Sequence, residues 1–328
     1  MTAEPDAIRA PAAGTPAAAP EYRPQPTCWV CDGAEWTMLP HAERFDMTWQ
    51  EHPTLQPFHG ETFRLQRCGA CGFVQPDRLP APEDYFDALY SKNRGDDWRR
   101  ELDAATFRDG VYRDVLARLE RKTGGRRGKL LDVGCGVGTF LKRARDAGWE
   151  VEGAEMNPHD RAFAARSVGV AVHGGTLAEL AAEGRRYDAV TLNDVLEHIP
   201  RPRGVIEEAL GVLEPGGWLA VKSPHGAAQL LKERAKALAK PGAEPEIASN
   251  LTHVNHFGAR SLRLLLERCG YDRVEVGVGA PEIAGRAPLR RAASRVVRRA
   301  VFRTARTLPG GVRTPLAMNL QAFARKPV

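Results

Sequence analysis

The stretch KLLDVGCGVGTF at residues 129–140 constrains the fold more than any other part of this 328-residue chain. Leu130, Leu131 and Val133 make a short apolar run that stops at Gly134, Gly136 and Gly138, and Thr139 and Phe140 then open a helical pattern. A strand that turns through glycines into a helix is the opening unit of a parallel α/β sheet, because only glycine passes the turn without strain and lets a ligand approach the backbone. The alternation continues downstream. Trp149–Ala154, Tyr187–Asn193, Gly217–Ser223 and Arg273–Val278 read as strands, Gly226–Lys240 and Arg260–Cys269 as helices, and Met318–Arg325 as a weakly alternating closing strand. The predicted fold class is α/β, a Rossmann-like sheet.

Upstream, Cys28-Trp-Val-Cys31 and Cys68-Gly-Ala-Cys71 form two C-x-x-C pairs. Two residues of spacing let a turn present both sulfurs to one ion, so the four thiolates suit a tetrahedral structural Zn²⁺ better than disulfides in a chain of this length. A redox role for either pair is the competing reading. The 36 residues between the pairs call for a ribbon-like excursion. Phe107, Val111, Val115, Leu116 and Leu119 recur at helical spacing and predict a helical connector. The expected divisions are a disordered Ala/Pro-rich leader (1–26), a zinc-binding module (27–75), the connector (76–127), the Rossmann-like domain (128–280), an arginine-rich insertion (281–315) and the closing strand (316–328).

The glycine spacing is G-x-G-x-G with Asp132 two residues ahead, unlike the G-x-G-x-x-G that grips a dinucleotide pyrophosphate. An acid and free amides at such a turn suit a ligand bearing an ammonium and a carboxylate. Glu155, at the end of the next strand, is placed to accept ribose hydroxyls. LDVGCGVGTF, VEGAEMNP, YDAVTLNDVLEHIPRP and LEPGGWLAVKSP resemble the successive motifs of class I methyltransferases that use S-adenosylmethionine (SAM), over about residues 128–280. The resemblance implies that Asp132, Gly134, Cys135, Gly136 and Gly138 line the methionine moiety. It further implies that Glu155 holds the ribose, that Met156 and the Thr176-Leu177 turn flank adenine, and that Asn193 and Asp194 approach the cofactor. Cys135 and Cys269 are otherwise expected to be packing residues.

Methyl transfer from a sulfonium asks the protein to align a nucleophile and take its proton. Two clusters qualify as the chemistry: Glu197 and His198 beside Asp194, and His253 with His256. A cysteine-ligated module ahead of a SAM domain resembles sugar C-methyltransferases, whose Tyr-x-Glu-His pattern is matched here at His253. Asn250 and Thr252 stand where the tyrosine and glutamate would, which leaves carbon and oxygen acceptors equally open. Asp194-x-x-Glu197-His198 with His256 also resembles a Mg²⁺ motif of some O-methyltransferases, a lesser reading because histidine is an unusual partner for that ion.

The expected activity is methylation of a hydroxyl or activated carbon of a sugar or related polar metabolite, free or linked to a nucleotide or lipid. The competing class is a zinc-ribbon recruitment module with a vestigial SAM domain. Residues 286–313 hold nine arginines and no lysine or acid, whereas the whole chain carries only +6. With Leu289, Ala293, Val296, Ala300 and Val301 as an apolar stripe, this predicts a basic amphipathic helix that touches anionic membrane over residues 286–306, or else a diphosphate-bearing substrate or solvent alone. Sparse aromatics argue against nucleic acid. The start of the chain has no basic, apolar secretory pattern, so the expected location is cytoplasmic, peripheral at most to the membrane.

Overall fold

In the computed structural model, which describes residues 20–48, 52–91, 108–240, 246–282 and 289–328, the chain begins with two small antiparallel pieces. Strands β1 (Tyr22–Pro24) and β5 (Arg78–Pro80) pair, while β2 (Trp36–Arg44), β3 (Thr62–Cys68) and β4 (Val74–Pro76) form a three-stranded sheet. Tyr22–Pro24 falls within the segment expected to be a leader, and residues 1–19 lie outside the described residues. The Tyr22 ring explains the order there: it meets Phe58 edge-on at 5.4 Å and lies 3.9 Å beneath the Arg78 guanidinium. Helix α1 (Tyr85–Ser91) adds Tyr85 to an aromatic core with Phe45, Phe58 and Phe63, ring centres 4.8–6.5 Å apart.

Helix α2 (Asp109–Lys122) buries Val111, Tyr112, Val115, Leu116 and Leu119, the spacing read from sequence; Phe107 lies outside the described residues. There follow β6 (Lys129–Val133), α3 (Thr139–Asp146), β7 (Glu150–Ala154), α4 (Pro158–Ala164), β8 (Val172–His173), α5 (Leu177–Ala182) and β9 (Tyr187–Asn193). Then come α6 (Arg203–Val212), β10 (Leu213–Pro224), α7 (Gly226–Ala239), α8 (Ala259–Arg268), β11 (Asp272–Gly279), α9 (Leu289–Thr307) and β12 (Asn319–Arg325). The sheet order is β11-β12-β10-β9-β6-β7-β8, with β12 antiparallel to both neighbours and the rest parallel. Leu130 and Leu131 point to opposite faces of β6 and are both fully buried, as expected when helices cover both faces.

The order reverses between β6 and β9, and in open α/β sheets that reversal opens a crevice at the carboxyl ends of the strands. The cysteine-bearing piece packs against this sheet without a break in the core. Phe73 and Phe257 rings lie 5.0 Å apart, and Val74 of β4 forms an antiparallel bridge with His256.

The arginine-rich helix is α9, between β11 and β12. Its buried face differs from the expected stripe: Val296 is 68% exposed, whereas Phe302 and Ala305 pack on Val278, Val312 and Ala317. The helix turns its largest ring to the sheet edge, and the side chains of Leu289 and Ala293 lie outside the described residues. No helix among the described residues is long and apolar enough to cross a membrane.

Candidate active site

Asp132 ends β6 with 2% exposure, its Oδ1 accepting the Thr191 hydroxyl at 2.6 Å and the Asn193 amide at 3.2 Å. Burial raises its carboxyl to about 7, against the pull of those two donors. The three glycines that follow have positive φ, and they differ in what surrounds them. A Cβ at Gly134 would stand 2.6 Å from Val195, and one at Gly138 2.7 Å from Val168, so both are packed against neighbouring chain. A Cβ at Gly136 would meet nothing within 4 Å. Its face is open, as a backbone that receives a ligand requires. Glu155 stands beside it, each carboxylate oxygen accepting one amide at 2.8 Å, from Gly136 and from Asn157.

Met156 is 69% exposed. Thr176 is spent on helix capping, its hydroxyl accepting the Glu179 amide, and Leu177 is buried in the core at 3% exposure. Cys135 is likewise a packing residue: its sulfur lies 2.7 Å from where a Gly153 Cβ would be, and burial holds the thiol well above its ordinary pKa.

Across the crevice, Asp194 follows β9 with φ +57°. Its carboxylate meets the ammonium of Lys222, a residue of β10 only 1% exposed, and lies 3.9 Å from Arg108. Lys222 also pairs with Glu282 at 2.8 Å. Burial opposes the lysine charge, but Asp194, Glu282 and Glu197 outweigh it and hold the ammonium above its usual range. Stripping one partner from a buried pair costs about 3–5 kcal/mol. This network, with Arg108, Lys222 and Glu282, was not anticipated. A lysine inside the apolar strand LAVKSP is the one sequence signal that pointed to it.

Glu197 and His198 sit on a short 3-10 turn, and the structure groups their ligand atoms with those of His253 within 4.8 Å of one another. The expected third histidine, His256, lies elsewhere: its Nδ1 meets Gln229 at 3.0 Å in the core, and burial pushes its pKa down to about 3. Asp194 is turned to Lys222. The remaining set of one carboxylate and two imidazoles is poor in the oxygen ligands that Mg²⁺ prefers. Burial and the Asp194 charge also hold Glu197 well above the carboxylate range.

The His198 and His253 rings are 4.8 Å apart. His198 Nδ1 faces the Thr252 carbonyl, and since a carbonyl only accepts, Nδ1 is the donor there. Tyr90 donates to the same carbonyl at 2.9 Å. Burial lowers the pKa of His253, against the pull of Asp194 and with the push of the Lys222 ammonium. The loop leading to it is strained: Ser249, Asn250 and Leu251 have φ of 44°, 60° and 63°. Each left-handed residue costs about 1–2 kcal/mol, so such a run needs clamps.

In the N-terminal piece, the sulfurs of Cys28 and Cys71 are 3.6 Å apart and those of Cys31 and Cys68 3.5 Å, with all four within 4.8 Å of one another. A zinc tetrahedron with bonds of about 2.3 Å has edges of about 3.8 Å. Each pair is followed by a left-handed residue, Asp32 at φ 62° and Gly72 at φ 76°, so the two knuckles mirror each other. None of the four is in a disulfide.

Residues 104–276 match the sequence profile of a methyltransferase domain. The ubiquinone biosynthesis O-methyltransferase of Bordetella avium is 35% identical over 97 residues, 28% of this chain and 40% of that protein. That of Paraburkholderia phytofirmans is 31% identical over 112 residues, 32% of this chain and 46% of its own length. The chain spans less than half the length of these curated relatives. Among solved structures, a SAM-dependent methyltransferase from Archaeoglobus fulgidus is similar with a TM-score of 0.43 and 19% identity, over 70% of this chain and 98% of that one. An amino pentose methyltransferase of calicheamicin biosynthesis from Micromonospora echinaspora gives 0.33 and 28%, over 38% and 54%. With its profile match spanning more than half its length and its sheet in this order, the chain belongs to the methyltransferase-domain family and carries a SAM-dependent methyltransferase fold.

Proposed function

We propose that the chain moves the methyl group of SAM to a hydroxyl or activated carbon of a sugar or related polar metabolite, with His253 as general base. Bound SAM supplies an electrophilic methyl on a good leaving group. Asp132 receives the methionine ammonium, the methionine end lies over the open face of Gly136 in the turn of Gly134, Gly136 and Gly138, and Glu155 takes the ribose hydroxyls. Met156 offers its exposed side chain to adenine, and Asn193 closes the pocket between Asp132 and the acceptor. A zinc ion on Cys28, Cys31, Cys68 and Cys71 is structural, because four thiolates leave no position open for an acceptor.

The observation that carries this reading is the place of His253. It stands against His198 in the crevice, where burial lowers its pKa and the Asp194 carboxylate favours the imidazolium formed when a proton is taken. The curated relatives, being O-methyltransferases, support a hydroxyl acceptor. The test is release of S-adenosylhomocysteine over a panel of nucleotide sugars, free sugars and prenylated phenols. His253→Ala is expected to leave SAM affinity unchanged and to lower turnover on the best acceptor by about 10² or more. Undiminished turnover removes His253 as the base, and absence of SAM binding favours the recruitment module with a vestigial site.

A further inference from the structure

The hairpin of the cysteine-bearing piece delivers a carboxylate that belongs neither to the thiol cluster nor to the cofactor pocket. Glu43, near the end of β2, is 4% exposed. Its oxygens accept the amide of Ile247 at 3.1 Å and that of Ala248 at 2.9 and 3.1 Å, and the Ser249 amide faces it as well. Successive amides turned to one point form a concavity for an anion. Here the anion is a side chain from 200 or so residues earlier in the chain. Burial pushes its carboxyl up to about 7 even with three amides present, so this is an unfavourable place for an acid unless the loop is what it serves.

The loop does not hold its shape by itself, since Ser249, Asn250 and Leu251 are all left-handed residues with side chains. A second clamp comes from the same hairpin: Asn250 accepts the Asp46 amide at 2.7 Å and donates to the Asp46 carbonyl at 2.9 Å. On the far side, the Glu197 carbonyl accepts the amides of Val254 and Asn255 at 2.9 and 3.1 Å. His253 is suspended between these anchors, Glu43 and Asp46 on the hairpin and Glu197 on the 3-10 turn that follows β9.

We propose that Glu43 is a positioning residue: its carboxylate, brought by the hairpin of the cysteine module, gathers the amides of residues 247–249 and thereby sets where His253 stands. This rests on the reading of His253 as the base. It gives the module a part in the reaction that is separable from cofactor binding, because the hairpin holds the histidine loop while Asp132 and Glu155 belong to the sheet.

The test uses the zinc-loaded full chain with ¹³C-labelled histidine, the His253 ring signal being identified as the one lost in His253→Ala. Glu43→Gln keeps the volume but turns an NH₂ toward amides that need an acceptor. The His253 signal is expected to shift or broaden, with zinc content and SAM affinity unchanged. Turnover on the best acceptor falls about 10-fold at constant KM for SAM, as a misplaced group costs rate and not affinity. Glu43→Asp, one methylene short, falls between. A His253 signal that stays put in folded Glu43→Gln overturns the proposal, and if that variant does not fold, Glu43→Asp carries the same comparison. If the signal moves but His253→Ala turns over normally, the base reading fails while the hold of Glu43 on the loop stands.

Discussion

Replacing Asp132 by asparagine, and lowering the pH on the unmutated protein, should weaken SAM binding by the same physical route. The Asp132 carboxyl is raised from an ordinary 3.8 to about 7, by burial first. An arriving ammonium favours the ionised form and restores an ordinary pKa, so SAM binding below pH 7 must expel a proton. With a free-state pKa near 7, the apparent Kd grows by a factor of about 2 at pH 7, about 11 at pH 6 and about 100 at pH 5, relative to its alkaline limit; each unit is worth about 1.4 kcal/mol. The α-amino group of the ligand stays protonated below about pH 7.7, so the window from 5 to 7 isolates the carboxylate.

Titration calorimetry across that window in buffers of different ionisation enthalpy reads both affinity and proton release. Asp132→Asn should bind weakly throughout and without slope. A wild-type Kd that is flat from pH 7 to 5.5, or a slope that survives in Asp132→Asn, would refute the assignment of this acid to the ammonium. The stability of the ligand-free protein moves the opposite way. Because the folded-state pKa is raised, the contribution of Asp132 is fully present below about pH 4 and is lost as pH rises through 7. SAM should therefore raise Tm more at pH 8 than at pH 6.

Two further outcomes follow from geometry. Chelation, or Cys71→Ser, should release one zinc per chain and unfold the N-terminal piece, since structural zinc contributes on the order of 10 kcal/mol to small sites; near-ultraviolet dichroism that is unchanged after metal removal would count against a zinc role. Gly134→Ala should cost about 2–4 kcal/mol of stability, from its left-handed φ and its clash with Val195. Gly136→Ala, with open space above it, should cost only about 1–2 kcal/mol but lower SAM affinity more than 10-fold. A reversed ranking in denaturant melts and calorimetry would show that the ligand does not lie over Gly136.

What was legible in the sequence was local. The glycine spacing, the strand-like runs and the paired cysteines each report on neighbours within a few residues, and β6, β9 and the four-thiol cluster lie where those patterns place them. Strand β8, with two residues, is too short to leave a pattern, and β10 starts at Leu213 because that residue pairs with Tyr187 across a bulge before Gly217. His253 and His256 are equivalent as letters. They differ because the chain at 256 is drawn into a bridge with Val74, which turns His256 inward, while His253 sits at the end of a left-handed run that no residue type announces. Glu43, Tyr90 and Glu282 reach the loop or the crevice only through the tertiary fold, and nothing near them in sequence marks them.

The crevice poses an electrostatic question, because a site for a cationic ligand contains a buried lysine and a nearby arginine. The partners answer it. Asp194 and Glu282 pair with Lys222, so neither is left to attract another cation. Glu155 is occupied at both oxygens by neutral amides. Glu197 is held in its protonated range by burial and by Asp194. Among the acids of the crevice, Asp132 is the one whose hydrogen-bond partners are a hydroxyl and an amide and whose buried charge no cation balances. A positive group entering the crevice therefore gains most at Asp132. The Lys222 network spends the other charges of the crevice on one another, and in doing so leaves His253 between the Asp194 carboxylate, which favours its protonated form, and the Lys222 ammonium, which opposes it.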